Sequence, residues 1–137
     1  MDIKPLNVDS KFDIDLGFGT AVESRLQHIM TSKGKIEVKT ERDRWQTSGN
    51  FAIEISYKGK PSGLRTTRAD YWLHAFYDTA SDEIKFCFML PAIQLKNIIK
   101  RMINKGRVKR IMGGDNKQSE LLLIPISDFV EFLKKNS

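Results

Sequence analysis

Two short alternating segments, residues 35–40 and 51–56, narrow the choice of folds most. Ile36 and Val38 are the apolar positions of the first, and Phe51, Ile53 and Ile55 those of the second. A period of two is the signature of a half-buried strand. The opposite positions carry Glu37, Lys39 and Glu54, residue types that strands tend to avoid. The polar stretch between the segments contains Gly49-Asn50, which predicts an antiparallel hairpin. In that hairpin Glu37 faces Glu54, Val38 faces Ile53 and Lys39 faces Ala52. Two carboxylates and an ammonium then share one face. A hard divalent cation takes such oxygens, and an anionic transition state is stabilised by a nearby lysine.

At 137 residues, the chain is long enough for one domain, 1–137, with its own core. No run approaches the roughly 18 apolar residues of a membrane span. Met1-Asp2-Ile3-Lys4-Pro5 lacks the apolar stretch of a secretory leader, so neither membrane insertion nor export is expected. Cys87 is the only cysteine, and within Phe86-Cys87-Phe88 it reads as a buried small hydrophobe. A reducing, cytoplasmic setting is expected (the host's, if the chain is viral). Two histidines, His28 and His74, make a zinc site a poor expectation.

The net charge is +6, and it is localised. Between Pro91 and Lys117 eight cations are opposed by Asp115 alone, a balance of +7. Lys96, Lys100, Arg101, Lys105, Arg107, Lys109, Arg110 and Lys117 supply it. Clustered cations are the footprint of a phosphate-backbone binder; a solvated lysine-rich helix face is the plainer alternative.

Residues 1–18 read as polar and irregular, with Asp9, Asp13 and Asp15 spaced through them. A helix is expected from Thr20, with Val22, Leu26, Ile29 and Met30 as its apolar stripe and Gly34 as its stop. Residues 58–69 read as a loop, and 71–77 and 83–90 as paired strands. Pro91 suits the first turn of a helix reaching about Asn104, with Ile93, Ile98, Ile99, Met102 and Ile103 inward and Gly106 ending it. A short basic strand at 107–112, a turn at 113–116 and a buried strand at 121–126 follow. Ser127 is the expected cap of a last helix carrying Phe129, Val130, Phe132 and Leu133. This order describes a mixed α/β domain.

Glu37-Val38-Lys39 on a strand is the leading catalytic candidate; an exposed edge strand with an ion pair is its plain alternative. Glu23 fits either a metal site or the capping box Thr20-Ala21-Val22-Glu23. Asp13 and Asp15 are either carboxylate ligands or turn residues, and Glu54 is either a ligand or the partner of Lys39. The loop holding Lys60, Arg65 and Arg68 has the hydroxyls, glycines and cations that contact phosphates. Arg42 and Arg44, with Trp45 and Gln46, could follow a nucleic-acid strand. Tyr71, Trp72, Phe76 and Tyr77 read as core.

With Glu23 on a helix, Ile36-Glu37-Val38-Lys39 on a strand, and the block Thr47-Ser48-Gly49-Asn50-Phe51-Ala52-Ile53-Glu54, the chain resembles a nuclease of the PD-(D/E)XK superfamily. Gly59-Lys60-Pro61-Ser62-Gly63 and Thr66-Thr67-Arg68-Ala69-Asp70-Tyr71-Trp72 continue the likeness, closest to small phage-type endonucleases and Holliday-junction resolvases. The resemblance implies a restriction-endonuclease-like core, a central mixed sheet flanked by helices. It also implies Mg²⁺-dependent phosphodiester hydrolysis, with Mn²⁺ as a substitute, on DNA that includes branched forms. Glu37 and Lys39 would be catalytic, with Glu37, Glu54, Glu23 and Asp15 as the metal set. Arg42, Arg44, Lys60, Arg65, Arg68, Lys100, Arg101 and Lys105 would hold the DNA. Two symmetric cuts would call for a homodimer. The superfamily's metal-binding aspartate just before Glu-x-Lys has no counterpart here, so Asp13, Asp15 or Glu54 must supply it or it is missing. A DNA-binding protein that kept the fold without the chemistry is the other reading.

Overall fold

The computed structural model describes residues 2, 4, 10–31 and 35–134, with the side chains of the first helix described from Gly17 onward. The chain divides into two units, Met1–Lys33 and Gly34–Ser137. The first holds one helix, α1 (Ser10–Thr31). It starts well ahead of Thr20, so Asp13 and Asp15 are helical rather than turn residues. Acidic residues near a helix start suit its dipole, which helps explain the early start. Thr20 therefore lies inside the helix and cannot be its cap, which overturns the capping box. Glu23 is an exposed residue of the helix interior. Of the expected stripe, Val22 and Ile29 are half-buried while Leu26 and Met30 are exposed. Asp9 and the expected stop at Gly34 lie outside the described residues.

The second unit is α/β. It runs β1 (Ile36–Arg42), α2 (Trp45–Ser48), β2 (Asn50–Tyr57), β3 (Lys60–Pro61), β4 (Tyr71–Asp78), β5 (Glu83–Pro91), α3 (Ala92–Asn104), β6 (Lys109–Gly113), β7 (Ser119–Pro125) and α4 (Ile126–Leu133). One sheet is mixed, in the order β1-β4-β5; the other is antiparallel, in the order β3-β2-β7-β6.

The expected β1–β2 hairpin does not form. β1 runs parallel to β4, with Glu37 beside Trp72 and Lys39 beside His74. β2 runs antiparallel to β7, with Glu54 beside Leu121. Glu37 and Glu54 thus belong to different sheets and are not cross-strand neighbours. The connection explains this. Asp43 adopts a left-handed φ of 45°, and its amide donates to the Tyr77 carbonyl at 3.1 Å, holding the chain against β4. The helical turn α2 follows and ends at Gly49, whose φ of 71° needs no side-chain accommodation. A helical turn, unlike a two-residue primed turn, does not fold the chain back on itself.

The phase of β1 is also reversed. Glu37, Lys39 and Glu41 share the face of Trp72, His74 and Phe76, while Val38 is 61% exposed. Glu41 makes this possible because its carboxylate finds partners inside.

The core joins Phe51 and Ile53 of β2, Trp72 and Phe76 of β4, Leu122 and Ile124 of β7, and the helices α3 and α4. Phe51 sits at its centre, edge-on to Phe76, Phe88 and Phe129 at 5.8, 5.5 and 5.1 Å. On α3 the buried stripe is Leu95, Ile98, Ile99 and Met102, spaced i, i+3, i+4, i+7. Ile93 and Ile103 flank that stripe and are exposed, contrary to expectation. Gly106 ends α3 as foreseen: its amide donates to Ile103 and that of Arg107 to Met102, a Schellman closure. Pro125, not Ser127, precedes α4, whose Phe129 and Phe132 are buried while Val130 and Leu133 are exposed. Cys87 is exposed rather than buried. Strand side chains alternate, and its neighbours Phe86 and Phe88 take the inward row.

Residues 58–69 are more ordered than a loop. Lys58 and Gly59, both at positive φ, turn β2 into β3, the geometry of a type I′ turn. A 3-10 turn, Gly63–Arg65, then packs on β2. Gly63 has φ +57°, and a β-carbon there would collide with the Glu54 carbonyl. Only glycine allows this approach, which places Ser62 over Glu54.

Candidate functional site

A pocket of about 210 Å³ opens between the two sheets, lined by Lys39, Glu41, Glu54, Gly63, Trp72 and His74 among others. Each element contributes for a local reason. β1 supplies Lys39 and Glu41 from its inward polar row. β2 supplies Glu54, and β4 supplies Trp72 and His74.

A line of polar contacts crosses this site. The indole Nε1–H of Trp72 donates to His74 Nδ1 at 3.1 Å, and His74 Nε2 lies 3.0 Å from Glu41 Oε1. An indole can only donate, so Nδ1 accepts and the imidazole hydrogen sits on Nε2, which donates to Glu41. The same Oε1 accepts the Ala52 amide of β2 at 2.7 Å. Glu41 therefore links the two sheets, and no described residue donates to its Oε2. His74 is 1% exposed, and this pairing accounts for its burial.

Lys39 stands at the pocket's other side. Its Nζ lies 3.2 Å from Glu37 Oε1 and 5.8 Å from the Trp72 ring centre. Both members of the Glu37–Lys39 pair are more than a third exposed, so the ammonium stays accessible. Glu54 is held by two hydroxyls: Ser119 Oγ donates to Oε1 at 2.7 Å and Ser62 Oγ to Oε2 at 3.0 Å.

The structure thus brings Lys39 and Glu54 together across the sheets, with Glu37 beside Lys39. Glu23 belongs to the other unit and is described with α1 alone. The side chain of Asp15, like that of Asp13, lies outside the described residues. Glu41 and His74 were missed by sequence reasoning. The signal for Glu41 was present, since it continues the i, i+2 row of Glu37 and Lys39.

Among the described residues no group of three or more His, Cys, Asp or Glu converges as a metal cage. The donor chemistry still fits Mg²⁺, which binds through one or two carboxylates plus substrate phosphates rather than an all-protein cage. Glu41 and Glu54 are the carboxylates that line the pocket.

The expected DNA contacts divide into two kinds. Arg42, Arg44, Lys60, Arg65, Arg68, Lys100 and Lys105 are exposed. Arg101 instead donates to the Phe132 carbonyl at 3.0 Å and lies 6.0 Å from that ring, tying α3 to α4. Arg107 and Arg110 pair with Asp128 and Glu120. The Arg42–Arg44 tip is docked rather than free. Trp45 packs edge-on to Phe76 and Phe86 and donates its indole N–H to the Tyr77 carbonyl, so it is no stacking platform. Gln46 donates to Asp78. Asp43 accepts the amide and hydroxyl of Thr79 at 2.7 and 2.6 Å. The Thr79 hydroxyl bond chiefly holds the Asp43 carboxyl below its ordinary range. Ser81 and Gln46 do the same for Asp78.

Comparison of the chain with protein-family models, curated proteins and solved structures gave no match. No described helix is long and apolar enough to cross a membrane.

Proposed function

We propose that the chain is a Mg²⁺-dependent DNA endonuclease of the PD-(D/E)XK kind, with its site in the pocket between the sheets. The observation that carries this reading is that one pocket is lined by the ammonium of Lys39 and the carboxylates of Glu41 and Glu54. Glu41 and Glu54 would hold Mg²⁺ together with a substrate phosphate. The metal, when bound, would activate water and offset charge on the phosphoryl oxygens. Lys39 would sit against the same phosphate, oriented by Glu37 on one side and the Trp72 face on the other. His74 and the Ala52 amide would fix one oxygen of Glu41 and leave the other for the metal. Exposed cations, among them Arg65, Lys100 and Lys105, with the half-buried Lys96, would carry the DNA backbone.

The second reading is a DNA-binding protein without chemistry. One observation favours it: both oxygens of Glu54 already accept serine hydroxyls.

Incubation with supercoiled plasmid and with a four-way junction, in Mg²⁺ and in EDTA, decides between them. Cleavage in Mg²⁺ alone, lost in Lys39→Ala and Glu54→Gln, is the expected result. DNA binding with no cleavage in Mg²⁺ or Mn²⁺ would leave the second reading standing.

A further inference from the structure

A second pocket, of about 310 Å³, lies between α3 and the 3-10 turn. Leu64, Ile99 and Ile103 supply apolar surface there, and Arg65, Lys96 and Lys100 stand around it. Leu64 and Ile99 are buried at its base, whereas Ile103 is 45% exposed, so apolar surface is left facing water. The three cations come from two elements. Lys96 and Lys100 are one helical turn apart on α3, a rise of about 6 Å, and Arg65 stands on the turn opposite. None of the three forms an ion pair with a described residue, and no acidic residue lines the pocket. Cations unpaired among the described residues, around a pocket where Ile103 leaves apolar surface open to water, call for a ligand that is both anionic and flat or apolar.

We propose that this slot receives an unpaired base of the DNA, with the flanking phosphates on Arg65, Lys96 and Lys100. The proposal rests on the DNA reading above and names the substrate feature it selects: a bulge, branch or single-stranded stretch rather than an uninterrupted duplex. The spread of charge favours a nucleic strand over a fatty acid. A carboxylate lipid concentrates one charge at one end, whereas a nucleic strand repeats its charges along its length. A base inserted between Leu64 and Ile103 would bury its faces on aliphatic carbon. Its polar edges would stay toward the open mouth, where water satisfies them.

Fluorescence anisotropy in EDTA tests this without any cleavage. Three labelled DNAs serve as probes: a paired duplex, the same duplex with a one-base bulge, and the bulge with that base removed to leave an abasic site. The bulged form should bind on the order of tenfold tighter than the duplex, and the abasic form should lose that advantage. Ile103→Asp, at an exposed position, should bring the bulge-to-duplex ratio to about one. Lys96→Glu with Lys100→Glu should weaken all three probes and lower the salt slope. Equal affinity for bulge and duplex, or an advantage that survives Ile103→Asp, overturns the slot while leaving the DNA reading intact. Tight binding of oleate, blocked by Ile103→Asp, overturns it in favour of a lipid. Binding to none of the DNAs overturns both the slot and the reading it rests on.

Discussion

Glu41 of β1 and the amide of Ala52 in β2 meet at 2.7 Å, although their strands belong to different sheets. The same carboxylate oxygen takes the His74 N–H. One side chain thus satisfies two interior donors and joins two layers.

Glu41→Ala should therefore destabilise more than the loss of one surface charge would. It leaves the Ala52 amide and His74 Nε2–H without an acceptor, at a cost of about 2–4 kcal/mol. Glu41→Gln retains an acceptor oxygen and should lose clearly less. Urea unfolding of the two variants against the parent measures the difference; equal midpoints would remove Glu41 as the link.

Lys39→Ala should leave stability within about 1 kcal/mol of the parent, because its pair with Glu37 is exposed and such pairs contribute little. Thermal melts check this. A large loss of stability would make Lys39 a structural residue and undercut a cleavage defect as a sign of chemistry.

Acid should weaken the Asp43–Thr79 contact. The Asp43 carboxyl is held below its ordinary value of 3.8, chiefly by the Thr79 hydroxyl. A depressed folded-state value means stability that is present above the unfolded value and lost as pH falls through the folded one. Asp43→Asn keeps a residue tolerant of left-handed φ but removes the titration. Its unfolding midpoint should fall less steeply than the parent's as pH drops below the ordinary aspartate value of 3.8. Some acid sensitivity should remain, since Asp78 is depressed in the same direction. Identical acid limbs in parent and variant would contradict the assignment.

Gly63→Ala and Gly59→Ala should differ sharply. Both residues have positive φ, but a β-carbon at Gly59 meets open space, whereas one at Gly63 meets the Glu54 backbone. Gly59→Ala should cost about 1 kcal/mol. Gly63→Ala should cost more than about 2 kcal/mol, because the 3-10 turn must lift off β2. Comparable losses in chemical denaturation would mean that the close approach carries no weight.

The sequence made legible what depends on neighbours. The aromatic strands β4 and β5, the Schellman stop at Gly106 and the apolar β7 follow from local pattern. The partners of β1 and β2 do not. Alternation says that a strand has two faces, not which strand lies beside it or which face turns inward. Val38 was read as packed because it is apolar, yet it is Glu41 that reaches the interior. Its partners, His74 and the Ala52 amide, are assembled only by tertiary structure. Glu54 was placed near Lys39 through a hairpin that does not exist; the two line one pocket by way of separate sheets. Arg101 was counted with the phosphate binders on charge alone, and only the packing of α3 on α4 gives it another task.

The division of β1 and β2 between sheets also bears on the order of assembly. β4 and β5 are joined by a tight turn and can pair early. Glu41 must wait for His74, 33 residues on, and Glu54 for Ser119, 65 residues on. Contacts closed over such spans form late and slow the search. The site therefore closes no earlier than the β1–β4 and β2–β7 pairings that carry it, and a φ-value near zero for Glu41→Gln in refolding experiments is the kinetic mark of such late closure.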